Sequence, residues 1–227
     1  MDYVSRTAIV TGASRGLGLA LARELAERGW RLVIDARDLP GVPDGLAGQV
    51  IALQGDVADP AHRRALVEAA EGRVDLLVNN ASALGPSPLP GLADYPLDAL
   101  ESVYRVNAIA PLALVQLALP LMPAGARILN VTSDAAVEAY EGWGGYGSSK
   151  AALEQLSRVL AAEHPELRVY AVDPGDMRTQ MQQDAFPGED ISDRPPPEES
   201  VPGLLALIEG DLPSGRYAAA ELAAAAR

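Results

Sequence analysis

A chain of 227 residues with 48% apolar and 22% charged residues suits one globular domain, residues 1–227, around a single sizeable core. Its net charge of −13 argues against a nucleic-acid binder, which needs a basic face to displace counterions from phosphates. The absence of cysteine excludes a disulfide framework and a thiolate zinc site, and two histidines, His62 and His164, are too few for a histidine metal centre. The absence of an ~18-residue apolar run predicts no membrane span. The Met1–Arg6 stretch lacks the apolar core of a signal peptide, so a cytoplasmic protein is expected.

Short β-rich runs alternate with longer amphipathic stretches, the pattern of a parallel sheet covered by helices on both faces. Thr7–Thr11 is the first predicted strand. It runs into TGASRGLG, Thr11–Gly18, and then into a helix over Leu17–Arg28. In that turn Gly12 permits a tight bend, while Gly16 and Gly18 permit close approach of backbone to a pyrophosphate and of helix to sheet. The helix N-terminus adds free amides and partial positive charge. An acidic protein binding an anionic ligand needs such local devices, because its global field is repulsive.

The second strand, Arg31–Ala36, is followed by RDLPGVPDGLAG, Arg37–Gly48. Prolines and glycines oppose a helix there, so a shortened crossover is expected before the strand Gln49–Gln54. Next come a helix over Pro60–Glu71 and a strand over Asp75–Asn79. A long helix over Leu97–Pro120 leads to a strand over Arg127–Thr132, then a helix over Gly147–His164 and a strand over Arg168–Val172. Residues 176–198 carry Met177, Met181 and Phe186, followed by acidic residues and Pro195–Pro197. They read either as a disordered surface loop or as a lid, since long loops following a strand end in such sheets often cover a ligand. A last helix is expected over Glu199–Glu209, and the alanine-rich Ala218–Ala226 supports a short helix or a frayed end.

Lysine occurs once, at Lys150, against 17 arginines. A lone lysine is either chance on a solvated helix face or a demand for a compact ammonium with a tunable pKa. Tyr146 lies four residues earlier, on the same helical face. An ammonium near a phenol favours the phenolate, which fits a tyrosine that passes a proton to a carbonyl or takes one from an alcohol. The alternative for Tyr146 is a half-buried aromatic. Asparagine is also scarce, with Asn79, Asn80, Asn107 and Asn130 alone.

Taken together, these residues resemble the short-chain dehydrogenase/reductase family in its common ~250-residue form, over nearly the whole chain. TGASRGLG matches the family's TGxxxGxG turn, and Asn79–Asn80–Ala81 its NNAG signature, here ending in Ser82. Asn107 stands where the family has an asparagine, Ser133 lies thirteen residues before Tyr146, and Tyr146–Lys150 is YxxxK. Pro174–Gly175 followed by Thr179 matches the nicotinamide loop.

The resemblance implies an α/β Rossmann-type doubly wound sheet of order 3-2-1-4-5-6, with room for a seventh strand. It implies Tyr146 as general acid/base, Ser133 on the substrate oxygen, Lys150 on the tyrosine and the nicotinamide ribose, and Asn107 anchoring a relay water. Cofactor contacts are expected from Gly12, Ser14, Arg15, Gly16, Leu17, Gly18, Arg37, Asp56, Val57, Asn80, Ala81, Tyr146, Lys150, Pro174, Gly175, Met177 and Thr179. Ser82 adds a side chain where the backbone approaches the cofactor. Asp134, after Ser133, reads as a solvent-facing acid or as a carboxylate near the active serine.

By family count the acid that discriminates NAD falls at Ala36, and strand alternation turns Asp35 away from the ribose. Arg37 and Arg15 occupy the 2′-phosphate positions, so NADP(H) is favoured over NAD(H). The function expected is hydride transfer between nicotinamide and a carbonyl or secondary alcohol of a small, partly apolar substrate. Leu84, Trp143, Met177, Met181 and Phe186 are pocket candidates. A cofactor-binding regulator or scaffold with little turnover is the alternative, and a relative catalysing a non-redox reaction is a third reading. A homodimer or homotetramer is implied, pairing the helices predicted at Leu97–Pro120 and Gly147–His164.

Overall fold

A computed structural model describes residues 6–39, 41–46 and 48–225. Met1–Ser5, Pro40 and Ala47 of the crossover, and Ala226 of the tail lie outside the described residues. Seven strands form one parallel sheet: β1 Thr7–Val10, β2 Arg31–Ala36, β3 Val50–Gln54, β4 Leu76–Asn79, β5 Arg127–Val131, β6 Arg168–Asp173 and β7 Gly215–Ala218. Their order is β3-β2-β1-β4-β5-β6-β7, so the sheet is doubly wound as expected, with the seventh strand present. The winding reverses between β1, which pairs with β2 on one side, and β4 on the other. A reversal of this kind opens a crevice at the carboxyl ends of the strands.

Alternation along each strand supplies two cores. Val10, Leu32, Ile34, Val78, Leu129 and Tyr170 point to one face and pack under α1 (Gly16–Glu27) and α7 (Val201–Glu209). Ile9, Val33, Leu77, Ile128 and Val169 point to the other, under α2 (Pro60–Glu68), α4 (Ala110–Ala118) and α5 (Gly144–Glu163). Strands apolar on both faces are what a doubly covered parallel sheet requires.

Three helical expectations change. The helix predicted over Leu97–Pro120 is α3 (Leu97–Tyr104), a π-helical turn (Arg105–Ile109) and α4, ending in a 3-10 turn at Leu119–Leu121. Pro111 has no N–H to return to the carbonyl of Asn107, four residues back, so the regular ladder breaks there. The run Leu97–Leu121 is long and apolar enough to cross a membrane by length and composition, contrary to the expectation of no such stretch. Its Leu114, Val115 and Ala118 are buried in the core beside Leu66 of α2. Helix α5 begins one turn earlier than expected, at Gly144. Residues 176–198 are no featureless coil, since they contain α6 (Gln180–Ala185), capped by Thr179. The crossover after β2 holds no helix among its described residues, and the tail forms a short α8 (Ala219–Ala225).

Candidate active site

The turn after β1 is held from behind by polar side chains. Thr11 Oγ1 accepts the N–H groups of Asn80 and Ala81, each at 3.0 Å. Asn80 Nδ2 donates to the Thr11 and Gly12 carbonyls at 2.8 and 3.1 Å. The Gly12 N–H donates to Asp35 Oδ1 at 2.8 Å, and Asp35 Oδ2 lies 2.9 Å from His62 Nε2. Asp35 is therefore buried and engaged with the turn, although it lies at the wall of the cleft. The Asn80 amide is likewise a brace for the turn. Gly12 and Gly16 adopt positive φ of 68° and 58°, which a glycine permits at little cost. Arg15, the N-cap of α1, makes no side-chain cap bond, leaving the first-turn amides open to an anion.

From this turn a single cleft of about 1600 Å³ runs along the carboxyl edge of the sheet to Tyr146. It is lined by every expected site residue except Gly18 and Asn107, which lie behind it. Gly18 is needed for packing: a Cβ there would lie 2.4 Å from the Gly12 carbonyl oxygen. Arg15 and Arg37 are exposed at the β2 end of the cleft, with Asp56 and Val57 beside them. These uncapped amides and exposed guanidiniums fit a dinucleotide carrying phosphates.

At the other end, α5 presents Tyr146 and Lys150 one turn apart, as their spacing predicts. Burial pushes the Tyr146 phenol up to about 12, and Asp173 and Asp134 add to this, while Ser82 and Ser133 act against it. Burial also pushes Lys150 down to about 7. Lys150 Nζ donates to the Val131 carbonyl at 2.8 Å and lies 5.5 Å from the Tyr146 ring centre. Desolvation dominates the Tyr146 shift in this structure, and the Ser82 and Ser133 hydroxyls act in the direction of the phenolate.

Ser133 follows β5 and its hydroxyl donates to Asp134 Oδ1 at 2.9 Å. Asp134 is exposed, yet it also accepts from Tyr140 Oη at 3.0 Å, so this acid joins Ser133 to Tyr140. Asn107 is buried; its Oδ1 accepts from the Ala83 N–H at 2.8 Å and from Ser82 Oγ at 3.2 Å. Its Nδ2 donates to the Ala83 carbonyl and to Ser149 Oγ, at 2.8 and 2.9 Å. The side chain therefore clamps the loop after β4 to α5.

Leu84, Trp143, Met181 and Phe186 gather around Tyr146, with Trp143 5.7 Å from the tyrosine ring and 5.9 Å from Phe186. Met177 lines the cleft but packs against the core under α1. Residues 176–198 are closed on themselves by the Arg178 N–H donating to the Pro195 carbonyl, and tied to the loop after β4 by Ser87 Oγ donating to the Asp184 carbonyl.

Some participants had no readable signal. Buried Glu154, one turn beyond Lys150, accepts from Thr132 Oγ1 and from Arg216 Nε, both at 2.9 Å. Arg216 Nη2 reaches the Ser133 carbonyl at 3.4 Å and Asp173 at 3.3 Å. Strand β7 thereby braces the reactive end from a part of the chain without a motif. The scarce asparagines also divide: Asn79 donates to Asn130, and Asn130 to Ser157, as a buried ladder that does not line the cleft.

Fold and cleft together define a dinucleotide-binding α/β protein with a tyrosine–lysine–serine centre. Residues 6–190 match the family described as short chain dehydrogenase. The chain is 36% identical over 197 residues to the rhamnolipids biosynthesis 3-oxoacyl-(acyl-carrier-protein) reductase of Pseudomonas aeruginosa, covering 79% of this chain and 76% of that one. It is 34% identical over 176 residues to short chain dehydrogenase penD of Penicillium thymicola, spanning 70% of this chain and 64% of that protein. A short chain dehydrogenase from Shigella flexneri 2a, solved in complex with NADP, superposes with a TM-score of 0.84 at 26% identity, covering 94% of this chain and 96% of that one. The chain belongs to the short-chain dehydrogenase/reductase family and is an oxidoreductase by class.

Proposed function

We propose that this protein is an NADP(H)-dependent oxidoreductase acting between a carbonyl and a secondary alcohol, with Tyr146 as general acid/base. The observation that carries the reading is the one continuous cleft joining the uncapped α1 N-terminus to Tyr146, Ser133 and Lys150. The cofactor, when bound, supplies the hydride. The amides of Gly16 and Leu17 would hold its pyrophosphate, and Asp56, Val57, Ala81, Pro174, Gly175 and Thr179 would line its path. Two features favour NADP(H) over NAD(H). Asp35 is engaged with Gly12 and His62, and neither Arg15 nor Arg37 is in an ion pair among the described residues.

Tyr146 passes its proton to the carbonyl oxygen in reduction and receives one in oxidation. Ser133 orients the same oxygen by turning its hydroxyl away from Asp134. Lys150 lies on the same helical face as Tyr146, positioned to contact the nicotinamide ribose. The Asn107 carbonyl, released by Pro111, is the anchor for a relay water. Leu84, Trp143, Met181 and Phe186 form an apolar wall suited to a small, partly apolar substrate, with 176–198 as its lid. Exposed Ile109 of the π-helical turn and Val159 of α5 mark the surface through which a homo-oligomer would form.

The test is NADPH consumption across a panel of ketones, aldehydes and quinones. Tyr146→Phe should lower turnover about a thousandfold, within the ~10²–10⁴ range for a general acid, while NADPH still binds. Full activity in that variant would refute the mechanism. Tight NADPH binding with no oxidation by any substrate would favour a regulator instead.

A further inference from the structure

The loop after β4 carries Ser82 where the family signature ends in glycine, and this side chain does not point at random. Its hydroxyl donates to Asn107 Oδ1 at 3.2 Å, the residue lines the same cleft as Tyr146, and it counters the upward push of burial on the Tyr146 phenol. The Asn107 amide cannot turn over to change its role. Its Nδ2 is held by the Ala83 carbonyl and Ser149 Oγ, so Oδ1 must face Ala83 N–H and Ser82 as an acceptor.

Resting on the proposed role of Tyr146, we propose that Ser82 is a working part of the acid/base centre, a rotating hydroxyl that stabilises the Tyr146 phenolate. A serine hydroxyl has one proton and two lone pairs. While Tyr146 is neutral, Ser82 donates to Asn107 Oδ1. When the Tyr146 O–H bond breaks and the substrate O–H bond forms, the Ser82 hydroxyl swings to donate to the new phenolate. No proton leaves Ser82. Asn107 Oδ1 keeps the Ala83 N–H, so the swing leaves no buried acceptor unpaired.

The surroundings make this donor matter. Facing Tyr146 are Lys150 from its own helix, Asp134 after β5 and Asp173 at the end of β6, the latter backed by Arg216 of β7. Both acids oppose a phenolate, as does burial. Lys150 directs its Nζ at the Val131 carbonyl. Hydroxyl donors are the remaining means of stabilising the anion, and Ser133 is shared with Asp134 and with the substrate.

The test places 3-fluorotyrosine at position 146 and follows its ionisation by fluorine NMR in the full-length protein, independently of turnover. Ser82→Ala should raise the midpoint by about one pH unit, the scale of a hydrogen bond to a charged group. Ser82→Thr, which keeps the hydroxyl, should restore it. The Tyr146-dependent limb of the kcat pH profile should move with the midpoint. An unchanged midpoint in Ser82→Ala, or an equal rise in Ser82→Thr, would overturn the inference, as would a fall in kcat without movement of either limb or midpoint. A protein that oxidises NADPH with no substrate would sink the proposed function yet leave the fluorine readout to judge Ser82.

Discussion

At the nucleotide end of the cleft the groups on offer are backbone amides, braced by the side chains of buried Asp35 and Thr11 and of half-buried Asn80. At the reactive end they are side-chain hydroxyls and an amine, contributed by the loop after β4, the end of β5 and helix α5. The first arrangement is rigid, because several side-chain-to-backbone hydrogen bonds of 2.8–3.1 Å converge on one short turn. The second is adjustable, since hydroxyls rotate and Lys150 titrates. Anion binding needs fixed dipoles, whereas proton transfer needs donors that can change partner.

The contrast can be broken most severely at Gly18. In Gly18→Ala the added Cβ would lie 2.4 Å from the Gly12 oxygen and 2.5 Å from Asn80 Nδ2, so the whole turn must shift. We expect a loss of about 3 kcal/mol in urea unfolding and a rise of roughly tenfold or more in the NADPH Kd, from overpacking against backbone. Gly16→Ala meets nothing nearer than Thr179 Cγ2 at 3.6 Å, and its strain at φ +58° should cost only about 1–2 kcal/mol. Equal losses in the two variants would show that the turn is not locked from behind.

The adjustable end is probed by pH. Lys150 falls from 10.5 to about 7 on folding, so between those values the unfolded chain binds the extra proton. Stability should therefore rise with pH across that window, by about 2 kcal/mol between pH 7 and pH 9 from this group. Tyr146, raised from 10.0 to about 12, works oppositely: its contribution is present below pH 10 and lost as pH rises towards 12. Urea titrations of Lys150→Met at pH 7, 8 and 9 should show this rise flattened relative to the unsubstituted protein. An unaltered slope would mean that Lys150 keeps its charge when buried.

The smallest effect is expected at the loop that closes the reactive end. Ser87→Ala removes an exposed 2.6 Å bond to the Asp184 carbonyl, worth at most about 1 kcal/mol. Substrate KM should rise about twofold, with the NADPH Kd unchanged. A change in cofactor affinity instead would tie residues 176–198 to the rigid end.

The nucleotide end was legible because its parts are contiguous: one strand, one turn and one helix N-terminus, with glycines whose conformations the pattern demands. Tyr146 and Lys150 were legible for the same reason, as neighbours on one helix. Six of the seven strands could be read from apolar runs; β7, Gly215–Ala218, is short and only partly buried, so it carries little such signal. The break at Asn107 lay in Pro111, but whether a proline kinks a helix or starts a new one depends on what packs around it.

What the chain order alone determined, then, is the layered sheet, the phosphate turn and the tyrosine–lysine pair, all set by local spacing and backbone conformation. Only the tertiary structure decided the engagement of Asp35 with Gly12 and His62, of Asp134 with Ser133, of Ser82 with Asn107 and Tyr146, and of Arg216 with Glu154. Most of these contacts join residues 23 to 64 positions apart. Their direction depends on which strand ends meet at the winding reversal, and desolvation there, more than nearby charge, determines how Tyr146 and Lys150 titrate.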